Sequence, residues 1–335
     1  LILPATLFAQ NLPSSGYRQN FERISLEQGF AQRSVVRIFQ DSRGFLWFGT
    51  KNGLSRYDGY NFIIFRHDPE NPQSLSHNHV TSIYEDQAGT LWIGTNGGGL
   101  NKFDREQEFF THYQANPEDP QSLSDNRVFA VYGDQSGTLW IGTLRGLHQF
   151  VPGSNKKEQG NFLLYQADPG DSYSFHNRVF SLYEDRSGVL WIGTQAGLKK
   201  FTPPLNRGET GQFTDYQTDP VFSIYEDRAG VLWVGASSGL KKFDPRSNRA
   251  KAGQFTHYHC DTVSSIYEDR TGLLWIGTSS GLQKFSPQTE GFRAEQTDSD
   301  ELMKRLRHTE VLSMQEDRSG AVSYTHLRAH ETSSM

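Results

Sequence analysis

A chain of 335 residues with 13% aromatics, 35% hydrophobic residues, 32 glycines and a net charge of −5 has the make-up of a fold built from short strands and tight turns. No basic run or face is present, which removes the electrostatic footprint of a nucleic-acid binder, and the single cysteine, Cys260, excludes an internal disulfide scaffold. No stretch of about 20 apolar residues occurs, so no segment reads as a membrane helix.

In chain order, Leu1 to Ala9 (LILPATLFA) is a short apolar run ending in a small residue and followed by polar Gln10 to Ser15. It reads as the end of a secretory signal peptide cleaved after Ala9, which makes residues 1–16 an expected leader. The missing initiator Met and basic n-region mark the chain as an expected fragment of a longer product.

Residues 17–322 repeat. The six tryptophans, Trp47, Trp92, Trp140, Trp191, Trp233 and Trp275, are spaced by 45, 48, 51, 42 and 42 residues. Each sits in D-x-x-G-x-L-W-[IVF]-G-[TA], followed by G-L and an aromatic. The aspartates are Asp41, Asp86, Asp134, Asp185, Asp227 and Asp269, and each is followed three residues later by glycine. Turn signals cut the unit into four strands, such as Val80 to Glu85, Thr90 to Thr95, Leu100 to Asp104 and Phe109 to Tyr113. Four antiparallel strands at this period predict an all-β propeller with six complete blades and a truncated seventh over 308–322. In the first strands, Val and Ile or Val three apart predict burial of both faces beside the axis. The indoles are expected between blades. Ser323 stands where the seventh tryptophan belongs, and 323–335 (SYTHLRAHETSSM) reads as a non-native tail expected to be disordered. Blade seven would then keep only its first strand, unless Phe21 to Leu26 supplies its outer strand as a clasp.

The opening FERISLEQGFAQRSVVRIFQD (Phe21 to Asp41), the DGYNF segment (Asp58 to Phe62) and the linker DPENPQSLSHN (Asp68 to Asn78) resemble the two-component regulator propeller repeat. The linker recurs as Asn116 to Asn126 and more loosely as Asp168 to Asn177, and the likeness covers roughly Phe21 to Ala321. The resemblance implies a periplasmic sensor region of a hybrid two-component histidine kinase or related signalling protein. In that family an Ig-like module, an inner-membrane helix and an output domain, such as a histidine kinase or a nucleotide cyclase, follow the propeller. Dimerisation of the intact protein is compatible with that arrangement. Arg33 departs from the pattern, standing where Asn78, Asn126 and Asn177 stand in later blades.

An acid repeated in every blade is explained by what every blade needs: a carboxylate that accepts turn N–H groups and a glycine tolerant of positive φ. Neither the Asp set nor the Glu85–Asp86 and Glu184–Asp185 pairs therefore reads as catalytic. His77 and His79, and His257, His259 and Cys260, lack a second pair at ligand spacing, so no metal or other cofactor is expected. Cys260 has no base that the sequence places beside it.

Recognition is expected where blades differ. The connections from strand four to the next strand one, and from strand two to strand three, leave the same face of the ring. Arg33, Arg37, Lys51, Asn52, Asn96, Arg145 and Gln195 are the candidate ligand-binding residues there, for a small-molecule or oligosaccharide ligand. A glycoside hydrolase or lyase would instead need non-repeated acids, and its candidates Glu70, Glu118 and Asp171 all sit in similar linkers. A protein-interaction scaffold would show a wide apolar face.

Overall fold

The computed structural model describes residues 35–153, 160–204, 211–216, 219–243, 255–292 and 309–316, with the strand backbones Leu7–Ala9, Glu22–Ile24 and Val322–Arg328. Six four-stranded antiparallel sheets follow one another in chain order. Blade two is typical, with strands Val80–Glu85, Leu91–Thr95, Leu100–Asp104 and Phe109–Tyr113. The first strands of the other complete blades are Val35–Gln40, Val128–Gly133, Val179–Glu184, Val221–Glu226 and Val263–Glu268. The protein is an all-β propeller.

All six indoles are 5% exposed or less. Each packs edge-on against the third-strand Phe of the following blade wherever that Phe exists, as Trp47 does on Phe103 at 5.4 Å and Trp191 on Phe243 at 5.4 Å. Each apolar cluster built on one of these indoles therefore joins two neighbouring blades, such as Trp140 and Leu147 with Val179, Leu190 and Phe201.

Blades approach most closely nearest the axis. A Cβ on Gly142 would lie 2.5 Å from Val179 Cγ1 of the next blade, so only glycine lets the second strand meet the neighbouring first strand. Glycines 49, 94, 193, 235 and 277 hold the same relation to Val80, Val128, Val221, Val263 and Val311.

The blades are also tied at the opposite end. The Ser42 N–H and hydroxyl donate to Glu85, the Gln135 N–H to Glu184, the Arg186 N–H to Glu226 and the Arg228 N–H to Glu268. The glutamate that precedes the repeated aspartate in blades two, four, five and six thus caps the turn of the blade before it. Blade three has Gly133 in that position, and the Tyr84 hydroxyl donates to its carbonyl instead.

The seventh unit differs from expectation. Ser323 to Arg328 does not leave the fold: Val322–Arg328 pairs antiparallel with Thr309–Glu316. Strand-forming residues in this segment (Tyr324, Thr325, Leu327) let its backbone pair with an otherwise open first strand. Residues 329–335 lie outside the described set. Leu7–Ala9, within the expected leader, pairs with Glu22–Ile24 and lies against Val322–Arg328. The seventh hairpin packs on blades six and one, so the ring closes rather than ending at an exposed sheet edge. Val311 seats on Gly277, and the Ile38 N–H donates to Ser313 Oγ at 3.3 Å.

Candidate ligand site on the loop face

The residues singled out from the sequence do not share one environment. Arg33 lies outside the described residues. Arg37 is not a donor at the mouth. Its Nε donates to the Thr81 carbonyl at 3.0 Å and its Nη1 to the Leu312 carbonyl at 3.4 Å, which ties blade one to both neighbours. Burial lowers its pKa. A long side chain where other blades carry serine or alanine had only main-chain oxygens within reach.

Lys51 and Asn52 occupy the half-buried turn between strands two and three of blade one. The Asn52 N–H donates to Thr50 Oγ1, and its carbonyl accepts from Arg66. Lys51 faces His79 and Glu310: burial, then the charges of Lys51 and His77, lower the His79 pKa, and burial raises that of Glu310 against the pull of Lys51. Asn96 donates its N–H to the His79 carbonyl at 2.9 Å, and its amide meets His79 Nδ1 at 3.3 Å. It also forms a backbone bridge with Arg127.

Arg145 and Gln195 each join the linker ahead of blade four, Arg145 through Tyr173 and Gln195 through Arg178, partners that sequence reasoning missed. Arg127 holds Asp125 with two side-chain hydrogen bonds, and Arg145 Nε stands 3.4 Å from the same carboxylate. Burial alone would raise the Asp125 pKa, but the hydrogen bonds from Arg127 and the charges of Arg127 and Arg145 outweigh it and hold it low. Arg145 lies over the Tyr173 ring at 4.2 Å and donates to its hydroxyl. Arg178 lies over the Phe175 ring at 4.6 Å and donates to Gln195 Oε1 at 2.7 Å.

Tyr173 and Phe175 are 58% and 54% exposed. The cause is local. In the linkers ahead of blades two and three, Leu75 and Leu123 are buried, and the Gln73 and Gln121 carbonyls accept N–H groups of the outer strands, from Phe110 and Phe162. Asp168 to Asn177 is one residue shorter. Ser174 caps a short 3-10 turn over Phe175–Asn177, the Asn177 amide holds the Asp168 and Asp171 carbonyls, and the two rings turn outward. The looser match of this linker to its repeat was the available signal.

In blades two, three and four, the side chain two residues after the glycine that opens the third strand reads its own linker from below. Asn101 bonds Ser76, His148 Nε2 accepts the Ser124 N–H at 3.0 Å, and the buried Lys199 reaches His176 Nδ1 and Asp215. These side chains shape the loop face without lying on it. Among the described residues, no group of three or more His, Cys, Asp or Glu is placed to hold a metal ion. Burial pushes the Cys260 thiol up to about 11, which argues against a nucleophile. Glu70 and Glu118 sit exposed at separate linker turns, and Asp171 accepts the Tyr173 N–H. They converge on no common point.

Residues 29–52, 74–97, 122–145, 174–196, 215–238 and 258–280 match the two component regulator propeller family. The chain is 43% identical over 56 residues, 17% of its length and 4% of the relative, to histidine kinase P4 of Formosa agariphila. A crystallised extracellular domain from B. thetaiotaomicron, described as that of a hybrid two component system, superposes over 91% of this chain with a TM-score of 0.72 and 27% identity, and the chain covers 41% of it. Virginiamycin B lyase from Staphylococcus aureus shares the fold alone, over 96% of this chain and 99% of that chain, with a TM-score of 0.61 and 12% identity. The chain therefore spans less than half of that extracellular domain and a small part of the kinase. No helix among the described residues is long and apolar enough to cross a membrane. Six tandem matches on a closed ring of blades, on a frame shared with the extracellular domain of a two-component system, identify the chain as a member of the two component regulator propeller repeat family.

Proposed function

We propose that this chain is the ligand-sensing propeller of a bacterial two-component or related signalling protein, held in the periplasm and without catalysis of its own. The observation that carries the reading is the Asp168–Asn177 linker, which leaves the repeat and presents Tyr173 and Phe175 to solvent beside Arg145 and Arg178. Rigid blades joined by loops that differ from one another are the arrangement in which scaffold and recognition are separated. A glycan fragment is the proposed ligand class, because ring faces and fixed polar donors stand together there. In the intact protein a membrane helix and an output domain, a histidine kinase or nucleotide cyclase, would receive the signal. The propeller would transmit it as a rigid body, since blades interlocked through indoles cannot deform singly.

The test is to incubate the purified chain with a panel of oligosaccharides, following thermal stability and product formation together. The expected outcome is a rise in melting temperature with at least one glycan and no new reducing ends or unsaturated products. Cleavage by the chain would overturn the non-catalytic reading. Absence of any shift that Tyr173→Ala abolishes would overturn the sensing one.

A further inference from the structure

We propose that the two guanidinium–aromatic stacks, Arg145 on Tyr173 and Arg178 on Phe175, form a binding site for the anionic group of an acidic oligosaccharide. This rests on the sensing reading above and names the charge of its ligand.

Two arginines, Arg127 and Arg145, stand around the single carboxylate of Asp125, leaving that group one positive charge in excess, and Arg178 adds a third guanidinium over Phe175 in the same linker. Asp171, the nearby linker acid, is exposed, and its carboxylate accepts the Tyr173 N–H. Asp125 takes two hydrogen bonds from Arg127, leaving Arg145 at 3.4 Å without a hydrogen bond to it. Arg178 gives Nη1 to Gln195 and its Nε is buried, while its Nη2, like Nη1 of Arg145, makes no hydrogen bond among the described residues. Both stacked guanidiniums thus keep unspent donors in a plane fixed by the ring beneath. A forked donor of set orientation matches a carboxylate or sulfate better than a neutral hydroxyl does.

Each aromatic ring has one face under a guanidinium and remains more than half exposed, which leaves its other face for the apolar side of a sugar ring. The corresponding linkers offer nothing equivalent. Gln73 and Leu75, and Gln121 and Leu123, stand in place of the two aromatics, with both leucines buried.

The experiment is calorimetric titration of the full chain with a galacturonate tetramer, its methyl-esterified form, a sulfated galactose tetramer and its desulfated form. At least one acid is expected to bind, with the ester or desulfated form about tenfold weaker or more, the value of one lost charged hydrogen bond. Arg145→Ala and Arg178→Ala are each expected to lose about tenfold while retaining the wild-type melting curve, and Tyr173→Ala to weaken acid and neutral forms alike. Lys102→Ala, which removes a positive charge from a third strand away from the cluster, should leave affinity unchanged. Raising ionic strength should weaken only the acids. Equal binding of acid and ester would overturn the anionic site while leaving ligand sensing standing, as would neutral-glycan binding with no acid bound. Acid binding that survives both arginine substitutions would place the anion elsewhere and overturn the assignment. Binding of no probe would overturn it outright.

Discussion

Asp185 and Trp191 are one structural unit: the indole Nε1 donates to Asp185 Oδ2 at 2.7 Å, while Oδ1 accepts the N–H groups of Ser187 and Val189. The turn carboxylate and the inter-blade ring, which look like separate requirements in the repeat, are a single hydrogen-bonded device. The same indole bond occurs at Asp41, Asp86, Asp134, Asp227 and Asp269, at 2.8 Å. It explains why the spacing of the pair is constant where the loops are not.

Asp185→Ala is accordingly expected to cost about 2–4 kcal/mol, because it strips acceptors from a buried indole N–H and two turn amides. Trp191→Phe should also destabilise, by loss of ring area and by leaving Oδ2 without its donor. Urea denaturation of both single variants and the double should show a cost clearly below the sum. Additive costs would mean that the bond contributes nothing of its own.

Gly142→Ala places a methyl against Val179 and is expected to cost about 1–3 kcal/mol, the range for overpacking. Gly170→Ala is the control. Only Asp168 Oδ1, at 3.6 Å, would meet its new methyl, so its melting temperature should stay within about a degree of wild type or rise slightly. Equal effects at the two sites would show that close approach of the blades is not what selects glycine in the second strand.

His148 gives the ring a pH-dependent stability. Burial pushes its pKa down to about 4, against partial support from the Ile141 backbone and Asp125. The unfolded chain protonates this imidazole near 6.5 and the folded one does not, so stability is complete above about 6.5 and falls as pH drops toward 4, by roughly 3 kcal/mol. Asp125 and Asp185, both held below the ordinary carboxylate value, add a further loss only below about pH 4. His148→Asn, which copies Asn101 of blade two, should flatten the limb between pH 6.5 and 4. An unchanged slope in denaturation series across that range would remove His148 as its source.

Cys260 packs beside Trp233, Leu240 and Tyr258, and its raised pKa leaves little thiolate at pH 8. Iodoacetamide should label the native chain at least tenfold more slowly than the urea-unfolded chain at that pH. Rapid native labelling would reopen Cys260 as a reactive group.

What the sequence determined alone is whatever each blade must repeat. Strand order, the Asp–Gly turns and the inter-blade place of the indoles are set by residues a few positions apart, so a period of 42 to 51 residues is enough to read them. Three-dimensional packing decided the rest. Arg37 faces neighbouring carbonyls rather than the mouth because blades one, two and seven close around it, and Ser323 to Arg328 joins the ring because an unpaired strand was waiting. Phe175 becomes surface because a linker shortened by one residue no longer buries it as Leu123 is buried, and Tyr173 takes the place of the exposed Gln73 and Gln121. Which side chains meet across blades depends on chain segments far apart in sequence, and a local repeat carries no record of that distance.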